Sequence, residues 1–99
     1  MNVIYLESLK KDLKKIKDKK LLKNLSAVFI KLEDVDDLLK ISSVKKLSGH
    51  PDAYRIRIGD YRLGIYYNEN KLSIARFTEV NEVSIARFVK RNDIYKVFP

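Results

Sequence analysis

The sequence predicts an α+β fold: a β-α-α-β-β-β core whose antiparallel sheet is covered on one face by two helices, with one extra C-terminal strand. Three observations point to it. Apolar residues recur at helical spacing between Leu9 and Leu32, the pattern changes to alternation after Ala53, and a Gly59-Asp60 pair interrupts the alternating run at its middle. A chain of 99 residues, 45% of them apolar, holds enough material for one modest core, so residues 1–99 are expected to form a single domain.

The elements can be justified in order. "MNVIYL" is short and rich in β-formers on both sides of an extended chain, which predicts a buried strand. Ser8 offers a helix cap, and Leu9, Leu13 and Ile16 line one side of a lysine-rich helix. From Asp18 a second stripe runs through Leu21, Leu22, Leu25, Val28, Phe29 and Leu32. The acidic run Glu33, Asp34, Asp36 and Asp37 ends it as a solvated break, since its spacing does not match a calcium loop. "DLLKISSVKKL" holds only a short helical turn before the "SGHPD" loop.

"AYRIRIGDYRLGIYY" then alternates about Gly59-Asp60, a two-residue hairpin connection in which glycine supplies the unusual backbone angle. "NEN" predicts the next turn, "KLSIARF" and "VSIARFVKR" two more strands, and "NDIYKVFP" a terminal turn or tail.

Composition excludes several chemistries. There is no cysteine, and His50 is the only histidine, so thiolate nucleophiles, zinc clusters and histidine-based triads are poor candidates and no metal or cofactor is expected. The turn context of His50 predicts an ordinary loop histidine. No apolar run approaches the roughly 18 residues of a membrane span, and Met1 to Leu6 is too short for a signal peptide, so a cytoplasmic protein without a membrane partner is expected.

A formal charge of +8 favours polyanions or an acidic protein partner. Its distribution says more. Most of the 15 lysines precede Lys46, whereas all six arginines, from Arg55 to Arg91, lie after position 54. Arginine's planar fork suits a bidentate grip on phosphate, which directs attention to the second half of the chain.

With Gly59 and Asp60 as the loop, Ile58 should face Tyr61, Arg57 should face Arg62, Ile56 should face Leu63, and Arg55 should face Gly64. Alternation sends Tyr54, Ile56, Ile58, Tyr61, Leu63 and Ile65 to the helices and leaves Arg55, Arg57, Arg62 and Tyr66 on the other side. Like charges directly opposite one another weaken a sheet, so a purely structural strand pair gains nothing from this arrangement. A surface that holds a phosphate backbone does gain, and Gly64 would leave room for a ligand beside Arg55. Solvated outward positions are the plainer alternative. Tyr95 could be a core anchor or stack on a base, and Lys90 and Arg91 could be solvated or could join the arginine face.

These residues carry a resemblance. "KKLSGHPDAYRIRIGDYRLGI" resembles the central signature of the RelE/ParE toxin superfamily, "RFVKRNDIYKVFP" resembles its C-terminal ending, and "SLKKDLKKIKDKK" is similar to its first helix. The likeness spans nearly the whole chain. It implies the toxin of a type II toxin-antitoxin pair, bound by an acidic or amphipathic antitoxin segment. In the RelE branch it implies an endoribonuclease that cuts messenger RNA on the ribosome by attack of the RNA's own 2′-hydroxyl; ParE relatives instead inhibit DNA gyrase, and an antitoxin-binding module without catalysis is a third outcome. Carried over, the catalytic positions fall on Arg55, Arg57, Arg62, Arg91 and Tyr95, with Lys45, Lys46 and Lys90 joining Arg55 and Arg57 in nucleic-acid binding. Relatives often carry histidine where this chain has Lys90.

One feature departs from that family pattern. "SIARF" occurs at 73–77 and again at 84–88, and the eleven-residue offset also matches Asn70 to Asn81, as a local tandem duplication would. Two copies with the same alternation compete for one place beside Tyr61 to Tyr67. The expectation is that the first takes it and the second adds an edge strand, which could also support a homo-oligomer.

Overall fold

A computed structural model describes residues 1–73 and 78–99, with side chains described outside 70–80. In chain order the elements are β1 (Asn2–Tyr5), α1 (Glu7–Lys14), α2 (Lys19–Asp34), a 3₁₀ turn (Leu38–Lys40), β2 (Val44–Lys46), β3 (Ala53–Ile58), β4 (Tyr61–Ser73), β5 (Thr78–Lys90) and α3 (Ile94–Val97). The strands form one sheet in the order β1-β5-β4-β3-β2, antiparallel except where β1 runs parallel to β5.

The helical stripes settle on one face. Leu9 of α1 and Leu25 and Leu32 of α2 are buried with Ile56, Ile58, Leu63, Ile65, Val83, Ile85 and Phe88 of the sheet. Each such side chain taken out of water contributes roughly 1.5–3 kcal/mol. Asp18 caps α2 by accepting from the N–H groups of Lys20 and Leu21 at 3.0 and 3.2 Å. Ser8 does not cap α1: Leu6 stands before the first turn, and the Ser8 hydroxyl donates to the carbonyl of Ala86 at 2.6 Å. The reason lies in the sheet. β1 stops pairing with β5 at Tyr5–Ile85, so the next stretch of β5 has an open edge, and α1 supplies polar groups to it. Asp12, buried, accepts from Phe88 N–H at 3.0 Å and from both Nε and Nη2 of Arg87 at 2.8 and 3.0 Å.

The acidic run is only partly a solvated break. Asp36 pairs with Lys40 at the surface, but Glu33 accepts from the Tyr5 hydroxyl at 2.7 Å and Asp37 from that of Tyr67 at 3.0 Å. Burial, reinforced by these bonds to carboxylates, pushes both tyrosines up to about 12.

Several sequence expectations need correction. β1 is half-buried rather than buried, with Ile4 exposed at the sheet edge. "VKK" in the segment expected to hold only a helical turn forms β2, the other edge. "NEN" is not a turn: β4 runs through it with a register shift between Asn68 and Lys71. The second SIARF copy adds no edge strand, because Ser84 to Phe88 lie in β5, between β1 and β4. Ser73 of the first copy lies at the end of β4, opposite Thr78, and the rest of that copy lies outside the described residues. At the other end of the β4–β5 pair Tyr61 faces Lys90, and a register shift falls between Gly64 and Ile65.

Candidate functional site

The hairpin register is the one the Gly59-Asp60 turn requires. Ile58 faces Tyr61, Arg57 faces Arg62, Ile56 faces Leu63 and Arg55 faces Gly64, with Gly59 at φ 59°. Alternation then sets Ile56, Ile58, Leu63 and Ile65 under the helices and puts the arginines on the opposite side. There, Arg55, Arg57 and Arg62 line a groove of about 300 Å³ together with Lys45 and the Ser42–Ser43 segment. The two serines were missed in the sequence; their place in the connection between the 3₁₀ turn and β2 becomes meaningful only once β2 pairs with β3.

Arg62 is deeper than an outward strand position suggests. It is 7% exposed, and its Nη1 donates to the carbonyls of Gly59 and Tyr61, both at 3.0 Å. Burial lowers its pKa, and the charges of Arg55, Arg57 and Arg91 lower it further. A guanidinium still keeps its proton at any ordinary pH, so Arg62 is a fixed cation at the base of the groove. Among the described residues, Arg55, Arg57, Arg62 and Arg91 form no salt bridge with a carboxylate. The group is a concentration of positive charge without internal neutralisation.

The C-terminal residues join it by two backbone devices. Arg91 N–H donates to the carbonyl of Asp60 at 2.8 Å, which ties the end of β5 to the hairpin turn and brings the Arg91 charge within range of Arg62. α3 then lies on the arginine side of the sheet, anchored by Ile94 and Phe98, which are buried with Leu47, Ala53 and Ala86. Tyr95, between the two anchors, is 64% exposed, and its hydroxyl accepts from Arg55 Nε at 3.0 Å. Tyr95 is therefore not the core anchor that one sequence alternative made it, and its hydroxyl is attached to the cationic group.

"NDIYKVFP" is thus a structural element rather than a tail. The apolar residues Ile94 and Phe98, four apart, are the signal that could have revealed it. Phe98 also changes the role of Gly64. A Cβ at Gly64 would lie 2.8 Å from Cγ and Cδ2 of Phe98, so the missing side chain makes room for that ring and not for a ligand.

Not every expected residue joins the group. Lys45 faces Arg55 and shares the groove, whereas Lys46 faces Tyr54 on the alternate side of β2. Lys90, opposite Tyr61, lines a separate cleft of about 400 Å³ with Asp12, Lys15 and Lys96. His50 is an exposed loop residue, as expected, but lines a third cleft together with Tyr95. Among the described residues no three histidine, aspartate or glutamate side chains converge to hold a metal ion, and no helix is long and apolar enough to cross a membrane.

Comparisons with known proteins bear on the fold as a whole. The chain is 29% identical over 101 residues, covering 100% of both chains, to Toxin RelE3 of Methanocaldococcus jannaschii. It superposes on a chain of the crystal structure of a RelB-RelE antitoxin-toxin complex from Methanococcus jannaschii with a TM-score of 0.71 and 27% identity, over 97% of this chain and 99% of that one. No family model matches the chain.

Proposed function

We propose that this chain, a member of the RelE/ParE toxin superfamily, is the toxin of a type II toxin-antitoxin pair and an endoribonuclease that cuts messenger RNA on the ribosome. One observation carries the reading: Arg55, Arg57 and Arg62 line a groove without a carboxylate partner among the described residues, the charge of Arg91 acts on Arg62, and Tyr95 is hydrogen-bonded into the group. Such a site costs stability unless an anion occupies it.

The chemistry follows from what these side chains can do. The RNA 2′-hydroxyl would lose its proton to solvent water and attack the adjacent phosphorus, the P–O5′ bond would break, and the departing O5′ would take up a proton. The products are a 2′,3′-cyclic phosphate and a free 5′-hydroxyl. Charge on the nonbridging oxygens grows in the pentacoordinate state. Fixed cations such as Arg62 stabilise it more than the ground state, with no reorganisation at the moment of reaction. The Tyr95 oxygen accepts the Arg55 N–H, which leaves its own O–H available to protonate O5′. Arg57 and Lys45, on the groove wall, would position the flanking phosphates.

An antitoxin partner follows from the same surface. A net charge of +8 suits an acidic segment that covers the groove, as a complex of the RelB-RelE kind would require. The ribosome supplies an RNA-rich surface to which so basic a chain is steered.

The test is addition of the purified chain to a cell-free translation extract, followed by mapping of message ends. Cleavage confined to ribosome-bound message is expected. Intact message, together with inhibition of gyrase supercoiling by the same preparation, would overturn the reading.

A further inference from the structure

The arginine groove carries two hydroxyls that the proposed reaction leaves unused. Ser42 and Ser43 line it beside Lys45, Arg55, Arg57 and Arg62. Lysine and arginine side chains only donate hydrogen bonds, whereas a serine hydroxyl both donates and accepts. The nearby carbonyls are engaged: that of Ser43 accepts from Arg57 N–H at 3.4 Å, and those of Gly59 and Tyr61 accept from Arg62. Acceptor capacity among the lining side chains therefore rests with the two serines.

Strand register singles out Ser43. Val44 faces Ile56 and packs against the helix-side core, so alternation sends Lys45 and Ser43 to the arginine side. The Arg57 N–H bond carries the β2–β3 ladder one residue past Val44 and sets Ser43 against Arg57, which in turn faces Arg62. One row across the sheet reads hydroxyl, guanidinium, guanidinium. Ser43 is exposed, and its hydroxyl makes no hydrogen bond to a described residue.

We infer that the Ser43 hydroxyl accepts a hydrogen bond from a ribose 2′-hydroxyl of the bound RNA, on a nucleotide beside the cut and not at it, and so makes the groove prefer ribose to deoxyribose. The inference rests on the proposed RNA-cutting function and adds a specificity residue to that site.

Cations alone cannot supply this preference. They grip the phosphates of RNA and DNA alike, and the 2′-hydroxyl, a donor as well as an acceptor, is what distinguishes the two polymers. Distance decides which ribose is read. Neighbouring strands lie about 4.8 Å apart, so two steps along the row put the Ser43 backbone roughly 10 Å from that of Arg62. Arg62 does not reach across, because its Nη1 is held by two carbonyls of its own hairpin. With Arg62 as the fixed cation for the phosphate under attack, the attacking 2′-hydroxyl stays close to that phosphate, and a hydroxyl held by Ser43 belongs to a neighbouring nucleotide whose phosphate rests on Arg57.

The experiment compares oligouridylate with oligodeoxyuridylate of equal length, which share bases and charge and differ only in the 2′-hydroxyls. The wild-type chain is expected to bind the ribose polymer roughly 2- to 13-fold more tightly, the worth of one hydrogen bond. In Ser43→Ala that preference should vanish through weaker RNA binding, with oligodeoxyuridylate binding unchanged, and Ser43→Thr, which keeps a hydroxyl, should retain it. On ribosome-bound message Ser43→Ala should raise KM by the same factor and leave kcat unchanged, because the contact lies away from the reacting atoms. A fall in kcat would place Ser43 at the attacking ribose and overturn the inference. Equal binding of the two polymers by the wild-type chain would also overturn it and leave the arginine groove standing, whereas failure of both to bind would overturn groove and inference together. A ribose preference that survives in Ser43→Ala, or is lost in Ser42→Ala instead, would overturn it too. A preference lost in Ser43→Ala, in a chain that does not cut ribosome-bound message, would uphold this inference and sink the catalytic reading.

Discussion

Arg62 and Leu63 are consecutive residues of β4, both are buried, and the pleat treats them in opposite ways. Leu63 is fully enclosed with Ile56 and Phe88 under the helices. Arg62 points to the other face, where two carbonyls hold it and its charged neighbours are all cations. One face is built for volume and the other for charge, and a period of two residues keeps them apart. Stability and activity should therefore separate between neighbours in sequence. Leu63→Ala is expected to lose about 2–5 kcal/mol in denaturant unfolding, because a cavity opens in a packed layer, while the remaining folded molecules cut message normally. For Arg62→Ala the expected loss is about 10²- to 10³-fold in cleavage of ribosome-bound message, the scale of removing one preorganised stabiliser of transition-state charge. Its stability should change by no more than about 1 kcal/mol, since two lost hydrogen bonds are offset by relief of like-charge repulsion. Unchanged cleavage in Arg62→Ala would break the distinction between the faces.

Gly64, the next residue, sharpens the comparison because it serves the charged face through packing. An alanine there would press its Cβ against the Phe98 ring at 2.8 Å, and that ring is the anchor of α3. Overpacking of this kind costs about 1–3 kcal/mol. Because Tyr95 rides on α3, Gly64→Ala should also lower cleavage, unlike Leu63→Ala. The double variant Gly64→Ala with Phe98→Ala distinguishes a clash from a general weakening: the two losses should be less than additive in thermal unfolding, since the second substitution removes what the first collides with. Strict additivity would mean that Gly64 acts independently of the ring.

How much of this was legible in the sequence depended on whether a local rule decided the outcome. The Gly59-Asp60 turn fixes register by itself, so all four cross-strand pairs and the face of each arginine follow from the letters. The helical stripes behave similarly, because one apolar side must find a sheet. Other features were decided by distant neighbours. Ser8 looks like a cap and instead donates to Ala86, 78 residues away, because β1 leaves an edge of β5 open. Phe98 looks like part of a tail until the hollow at Gly64 is known, and the depth of Arg62 depends on carbonyls of a turn whose geometry no alternation pattern encodes. The repeat misled for a related reason. Identical alternation in two copies does not say which one lies beside Tyr61 to Tyr67, and the second does, between β1 and β4.

The smallest effect expected along β4 is at Tyr67, back on the helical side. Its hydroxyl donates to Asp37 at 3.0 Å, its ring meets Tyr54 edge-on, and burial followed by the bond to Asp37 pushes its pKa up to about 12. An unfolded chain loses this proton near pH 10. Between pH 10 and 12 the unfolded state therefore binds fewer protons than the folded state, and stability falls as pH rises. The contribution is fully present below pH 10 and is lost as pH climbs through about 12. Tyr67→Phe removes the bond and the titration together. At pH 7 it should cost about 1 kcal/mol, the usual net worth of one hydrogen bond, with no effect on cleavage. Above pH 10 the wild type should decline more steeply than the variant until the two unfolding curves meet. Tyr5, held by Glu33 and raised in the same direction, remains in both proteins and cancels from the difference. A stability gap that stays constant from pH 8 to pH 12 would show that Asp37 does not hold the Tyr67 proton, and a loss of cleavage at neutral pH would show that the helical face is not insulated from the charged one.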